Sequence, residues 1–485
     1  MFTLNDILQA TVDKATVLSS LPPDPHLIFR SAHHDSRQIA AGDLFIAIKG
    51  AKVDGHRFIS AVAQAGALGA LCTEAATDVP PTFIQIVVPD VVEALHAIAR
   101  VRTQRQRDEQ GTTLIGITGS NGKTSTKEAI AAVLSRHAPT LKTHASYNTE
   151  IGYPLTLLRL EPQHRYAVLE MGAQWVGELA WLCTIAAPDW SVITNVGTSH
   201  LEFFGSQERI AIAKSELVQA LQPEGIAILN YDDFRVQAMK AKTQARVLFY
   251  GTAPEAHVRA TAIGGDTLRG HSFTLHYGEE QQPVQLHIPG EHGITIALAA
   301  AAVGFAAGLP IGEIVAALEE LAPAKRRGEI KAGPNGSTLI DDSYNANRQS
   351  IVAIAQAMHS AQITEGGKRW AVLGDILELG SYSRDEHLAT GAALAHLVDY
   401  LVAIGEQARF FVEGALEAGM PSENAYFFSA NLEQPRELEA AKSAAADLLR
   451  EQVQPVDLVL LKASLGLGMD TLLTMLQTNH THSAH

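Results

Sequence analysis

The sequence predicts an α/β protein of three domains. A small α/β domain is expected over residues 1–105, a central doubly wound, mainly parallel sheet over 106–322, and a Rossmann-like α/β domain over 323–485. Three observations predict this. A chain of 485 residues is too long for one hydrophobic core. From residue 114 onward, short apolar runs alternate with helical stretches, the βαβ rhythm of a parallel sheet covered on both faces. Residues 114–134 read as a strand, a glycine turn and a helix, the local arrangement of a phosphate-binding loop (P-loop).

Composition sets the outer limits. Apolar residues make up 46% and charged residues 18%, enough core material to exclude disorder. A net charge of −15 disfavours a nucleic-acid partner, although short-range loop contacts can still hold small anions. Cys72 and Cys183 have no neighbouring Cys/His set that would suggest zinc, so a reduced, cytoplasmic protein is expected. Residues 1–10 carry Asp6 and lack the basic start and apolar run of a signal peptide. The most apolar window, 296–309, is short for a membrane span and is stopped by Pro310; a buried helix and no stable membrane insertion are expected. A monomer is the working expectation. His480, His482 and His485 fall in a tail expected to fray.

The glycine turn carries the most chemistry. In the run Gly119-Ser120-Asn121-Gly122-Lys123-Thr124-Ser125, the glycines let backbone N–H groups converge on an anion, and the helix that follows adds partial positive charge. Lys123 can reach terminal phosphates and the Thr124 hydroxyl can ligate Mg²⁺, so the expected ligand is ATP. A bare glycine turn is often only a connection; strand, loop, Lys and Thr together outweigh that reading.

Taken in order, the N-terminal domain shows polar turns flanking a strand, with Ser36 and Arg37 before it and Lys49 after it. Residues 100–110 mix arginines with Gln and acids and read as a helix end running into a linker. Central strands are expected at 114–117, 166–170, 191–194 and 225–229, and the polar motifs sit at their carboxyl ends, where ligands of such sheets gather. Glu170 ends one strand, a carboxylate well placed for Mg²⁺. His200 and Lys214 follow the next; singly, each reads as a hydrogen-bonded loop histidine and a solvated helix lysine. Residues 255–288 alternate polar and apolar and suggest a small antiparallel sheet within the central domain. The third domain is expected from Pro323, with strands near 337–340 and 458–461.

These runs, in this order and over nearly the whole chain, resemble the Mur ligase family. The compact T-G-S-N-G-K-T loop is typical of it. The run Asp341-Asp342-Ser343-Tyr344-Asn345-Ala346-Asn347, with Gly374-Asp375-Ile376-Leu377-Glu378-Leu379-Gly380, is similar to its dipeptide-adding branch. The resemblance implies an ATP-dependent amide ligase that joins D-alanyl-D-alanine to UDP-N-acetylmuramoyl-tripeptide through an acyl phosphate. It implies that Ser36, Arg37 and Lys49 meet the UDP end and that Asn148 and Thr149 belong to a substrate loop. Thr124, Glu170, His200 and a carbamylated Lys214 would hold metal, with Lys123, His200 and Lys214 as the catalytic set. His292, Arg327 and Asp342 would border the nucleotide, while Tyr344, Asn345 and Asn347 would shape the dipeptide's path, and the third domain would close over the second.

The chain departs from the family pattern at several positions. Thr149 and Ile296 each replace an asparagine, as does Gly293; Arg326 replaces a glycine, Arg348 a proline, and Leu465 an arginine whose fork of donors an apolar chain cannot supply. Two other readings stay open: a sibling ligase taking another amine, and a non-catalytic nucleotide-binding paralogue.

Overall fold

The structure, a computed structural model, describes residues 2–477 apart from residues 13, 21, 23, 51 and 52; the tail histidines lie outside the described residues. A five-stranded sheet comes first, in the order Thr16–Leu18, Ile84–Val87, Gly69–Cys72, Leu44–Ile46, Ala32–His33, parallel except for its first member. The run 44–48 is too apolar for a half-exposed strand, and Leu44, Phe45 and Ile46 are buried on both faces accordingly.

Helix Val91–Gln110 leaves this sheet, and here the structure corrects the expected linker. Asp90 caps the helix by accepting from Val92 and Glu93 N–H, nothing between breaks it, and Gly111 at φ 62° ends it. The polar stretch is helical because its arginines have fixed partners. Arg102 donates to the Leu160 carbonyl at 2.8 Å and Arg107 pairs with Asp189 at 3.1 Å, so the helix braces the central sheet. One apolar cluster accordingly runs from Leu44 and Leu71 through Ile98 to Leu114, Leu169 and Ile193.

The central sheet has nine strands in the order Glu280–Leu286, His271–Tyr277, Val258–Gly264, Arg246–Gly251, Ile226–Asn230, Trp190–Ile193, Thr113–Thr118, Tyr166–Glu170, Thr140–Lys142. The antiparallel strands expected within 255–288 are present, and they extend this sheet at its edge instead of forming one of their own. Val258–Gly264 pairs parallel with Arg246–Gly251, and the other two follow antiparallel. Thr113–Thr118 lies between Trp190–Ile193 and Tyr166–Glu170, with strand order reversing around it; that switch point opens a crevice at the carboxyl ends. Helix His292–Ala306 covers one face and is buried almost all round, as its Ala-rich sequence requires. Among the described residues no helix is long and apolar enough to cross a membrane.

The last sheet has six strands in the order Glu329–Ala332, Thr338–Asp341, Leu458–Lys462, Arg369–Gly374, Tyr400–Gly405, Ala425–Ser429, all parallel except the first, with its own apolar clusters on both faces.

Candidate active site

The glycine turn follows strand Thr113–Thr118 and leads into helix Lys123–Ser135. Gly119 is required by crowding, since a Cβ there would lie 1.8 Å from Thr194 Oγ1. Gly122, at φ 79°, turns the chain into the helix, whose N-terminus no side chain caps. The loop is held from behind: Ser120 N–H donates to the Asn195 carbonyl at 3.0 Å, Asn121 N–H to Asn195 Oδ1 at 2.9 Å, and the Thr194 hydroxyl to the Asn121 carbonyl at 2.7 Å.

Lys123 Nζ donates to the Gly119 carbonyl at 2.7 Å and is not neutralised by a carboxylate; burial, with Arg327 adding to it, lowers its pKa against the pull of Glu170. The Thr124 hydroxyl donates to Glu170 at 3.0 Å and accepts from Arg327 at 3.1 Å. Glu170, 2% exposed, also accepts from Asn148 at 2.9 Å. A buried carboxylate fed by a hydroxyl and an amide, with its nearest cation Lys127 at 4.0 Å, keeps charge for a further cation.

A cavity of ≈750 Å³ opens over this loop. Of the residues singled out from sequence, Ser120 to Ser125, Asn148, Thr149, Glu170, His200, His292, Arg327, Asp342, Tyr344, Asn345 and Asn347 all line it. Lys214 does not. It is 3% exposed on helix Gln207–Gln219, where burial and the charge of Lys123 push its pKa down to about 7. Glu178 and Glu216 pull the other way, and Glu178 does line the cavity. His200, at φ 60°, places Nδ1 2.5 Å from Glu378 of the last sheet's unit and lines the same cavity as Glu170. Among the described residues no group of three or more His, Cys, Asp or Glu could hold a metal ion.

The C-terminal unit forms the opposite wall. Arg327 lies 4.2 Å over the Tyr344 ring, and the Tyr344 hydroxyl contacts that of Ser146. Lys462 neutralises Asp342 at 2.5 Å and donates to the Asn345 carbonyl at 2.9 Å. Asn347 is committed twice, donating to Asn121 at 2.5 Å and Ser199 at 3.0 Å while capping helix Arg348–Ser360. That amide ties the third unit to the phosphate loop.

Ser36, Arg37 and Lys49 lie outside the cavity lining. The Arg37 side chain is 87% exposed and pairs with Asp35, and Lys49 forms an isolated bridge with Asp54. Gln38 beside them reaches the Tyr147 hydroxyl at 3.3 Å, next to Asn148.

The departures find physical reasons. Arg326 sits at φ 62°, which explains a glycine preference; here Ser343 accepts two of its guanidinium bonds, at 2.9 and 3.0 Å. Arg348 is the first residue of its helix, where proline is tolerated. A Cβ at Gly293 would meet the Ile288 carbonyl at 2.8 Å, leaving no room for an amide. Ile296 and Leu465 present apolar surface to the cavity. Sequence reasoning did not select Glu178, Leu377, Glu378, Gln349, Lys462 or Ser464, which also line it. Leu377 and Glu378 stand inside the run Gly374 to Gly380, and that is the available signal.

The fold and this loop define an α/β phosphate-loop protein with a second α/β unit lining the cavity opposite the loop. Residues 30–106 match the model described as "Mur ligase family, catalytic domain", 117–304 the "Mur ligase middle domain", and 326–465 the "Mur ligase, glutamate ligase domain". A Mycobacterium tuberculosis protein named UDP-N-acetylmuramoyl-tripeptide--D-alanyl-D-alanine ligase is 37% identical over 470 residues, covering 92% of each chain. The crystal structure of MurF from Acinetobacter baumannii superposes with TM-score 0.83 at 31% identity over 98% of each chain. That of MurF ligase from Thermotoga maritima in complex with ADP gives 0.76 at 26% identity, over 93% of this chain and 97% of that one. The chain belongs to the Mur ligase family.

Proposed function

We propose that the chain is an ATP-dependent ligase that joins D-alanyl-D-alanine to UDP-N-acetylmuramoyl-tripeptide in peptidoglycan precursor synthesis. One observation carries this reading: the phosphate loop and the run from Asp342 to Asn347 are facing walls of one cavity. An acid energised on one wall can meet an amine delivered from the other. In such a reaction the terminal phosphoryl of ATP passes to a substrate carboxylate, and the amine then displaces phosphate. Activation is needed because a free carboxylate would have to expel oxide.

Lys123 and the N–H groups at the helix start would neutralise the phosphates, and Arg327 would close over them. Its hydrogen bond to Thr124 and its stacking on Tyr344 already fix its plane. Asn148 and Thr149 would orient the acyl substrate beside Glu170, and His292 would border the nucleotide. Ser36, Arg37 and Lys49, in the connections that follow strands Ala32–His33 and Leu44–Ile46 of the N-terminal sheet, would take the UDP end.

Thr124 and Glu170 suit a hard cation that keeps several waters, so they would hold Mg²⁺, which would supply charge neutralisation between anions. A second position would need Lys214 as a carbamate, since a cationic lysine is no ligand. A pKa near 7 leaves much of that amine neutral, the form that adds CO₂. Three domains divided near residues 105 and 322, a monomeric state and a cytoplasmic location complete the proposal.

The test is ADP release from UDP-N-acetylmuramoyl-tripeptide with D-alanyl-D-alanine present and absent. Dipeptide-dependent release with amide product supports the reading. Release driven equally well by another amine points to a sibling ligase, and no release to a non-catalytic paralogue.

A further inference from the structure

The cavity's charges are nearly all committed. Among its cations, Lys123 is bonded to loop carbonyls, Arg327 to Thr124 and Lys462 to Asp342. Among its carboxylates, Glu170 accepts from Thr124 and Asn148, Glu178 from the Gln174 N–H, and Asp342 is neutralised by Lys462. Glu378 differs: among the described residues its one partner is the His200 ring nitrogen at 2.5 Å, and its side chain keeps 45% exposure.

Its backbone is unusual too. Glu378 and His200 are both non-glycine residues in the left-handed region, each at φ 60°. Such conformations persist only where surrounding structure imposes them, and they concentrate at functional sites. The imposing structure is the neighbouring turn: Leu377 N–H donates to Ser464 Oγ at 3.0 Å, and Gly466 lies so close that a Cβ would meet Leu377 Cδ1 at 2.9 Å. Leu465, on the same turn and 51% exposed, lines the cavity beside Leu377 and Glu378. Among the described residues, the C-terminal wall thus offers one half-exposed carboxylate, paired with a histidine ring and not with a lysine or arginine, flanked by two leucines, and no uncommitted cation.

We propose that Glu378 binds the ammonium of the incoming dipeptide while Leu377 and Leu465 contact its apolar side chains. The acceptor is therefore held by its amino end and its methyl groups, not by a guanidinium on its carboxylate. An aliphatic amine reaches the cavity protonated at neutral pH, and a desolvated ammonium needs an anion. Glu378 supplies it on the wall that the functional reading assigns to the dipeptide, and the assignment rests on that reading. The competing role is a charge contact that merely ties the third unit to His200.

Glu378→Gln keeps the shape and removes the charge. In the full-length enzyme, the KM for D-alanyl-D-alanine should rise roughly 10- to 100-fold, the scale of one lost charge-assisted hydrogen bond. The ATP KM should move less than about threefold, because no phosphate-loop contact is removed. D-lactyl-D-alanine, which carries a hydroxyl in place of the ammonium, serves as a competitive probe, and its inhibition constant should not change. Equal shifts for dipeptide and lactyl analogue would mean that Glu378 only ties the units together. An unchanged dipeptide KM overturns the assignment alone. A parent enzyme that does not turn over the dipeptide overturns the functional reading and this assignment with it.

Discussion

The phosphate loop and the turn bearing Ser36 and Arg37 both follow short strands and both present polar residues, yet they are held in opposite ways. In the loop each functional group has a buried protein partner: Lys123 its own carbonyls, Thr124 both Glu170 and Arg327, and the backbone the amide of Asn195. On the turn, Arg37 reaches into solvent and its partner is the neighbouring Asp35. A preorganised network stabilises developing charge without reorganising, whereas an exposed side chain gains geometry only when a ligand orders it. The loop should therefore govern turnover and the turn should govern affinity.

The largest expected effect is Lys123→Ala. Its ammonium is the loop's one cationic side chain, so ADP formation should fall by more than roughly 10³-fold with the fold intact by circular dichroism. Near-normal turnover would erase the distinction drawn above. Glu170→Gln comes next. An amide keeps the volume and can still bond Thr124 but loses the charge that suits a cation, so kcat should drop roughly 10²-fold and Mg²⁺ activation should need a higher concentration.

Lys214 separates an electrostatic effect from a structural one. Lys214→Ala should lower activity roughly 10- to 100-fold, with partial recovery in millimolar acetate if a carboxylate is what the site lacks. The same residue makes a prediction about stability. Burial lowers its pKa from 10.5 to about 7, so between these values the unfolded chain holds the proton that the folded chain has released. Its cost to folding is full below pH 7 and fades as pH rises toward 10.5. The thermal-stability advantage of Lys214→Met over the parent should be largest below pH 7 and shrink upward through that window. A constant difference would mean that folding leaves the Lys214 pKa where it is in the unfolded chain.

What was legible in sequence follows the same division. The run from Gly119 to Ser125 could be read because one continuous backbone path fixes the role of each residue, and the 1.8 Å clearance at Gly119 shows how little substitution it permits. Strand positions at 166–170 and 458–461 were clear because fully buried parallel strands are apolar without alternation. The helix through residues 100–110 was less clear, since the carbonyls and acids that hold Arg102 and Arg107 are distant in sequence. For the same reason no local pattern could reveal that 258–286 joins the central sheet, that His200 faces Glu378, or that Asn347 grips Asn121. Contacts between units depend on how sheets are placed, and periodicity carries no information on that.

The smallest expected effect tests the other half of the comparison. Arg37 is fully exposed, and its pairing with Asp35 competes with water and with salt, so its removal should leave melting temperature unchanged. With UDP-N-acetylmuramoyl-tripeptide varied, Arg37→Ala should raise KM by no more than about tenfold at low ionic strength, leave kcat alone, and lose most of its effect in high salt. Because Asp35 already bonds the guanidinium through two nitrogens, a ligand phosphate must compete for it, which limits the gain the wild-type residue can give. A fall in kcat comparable to that of Glu170→Gln would place this turn inside the catalytic network, and the contrast between an ordered loop and a ligand-ordered surface would no longer stand.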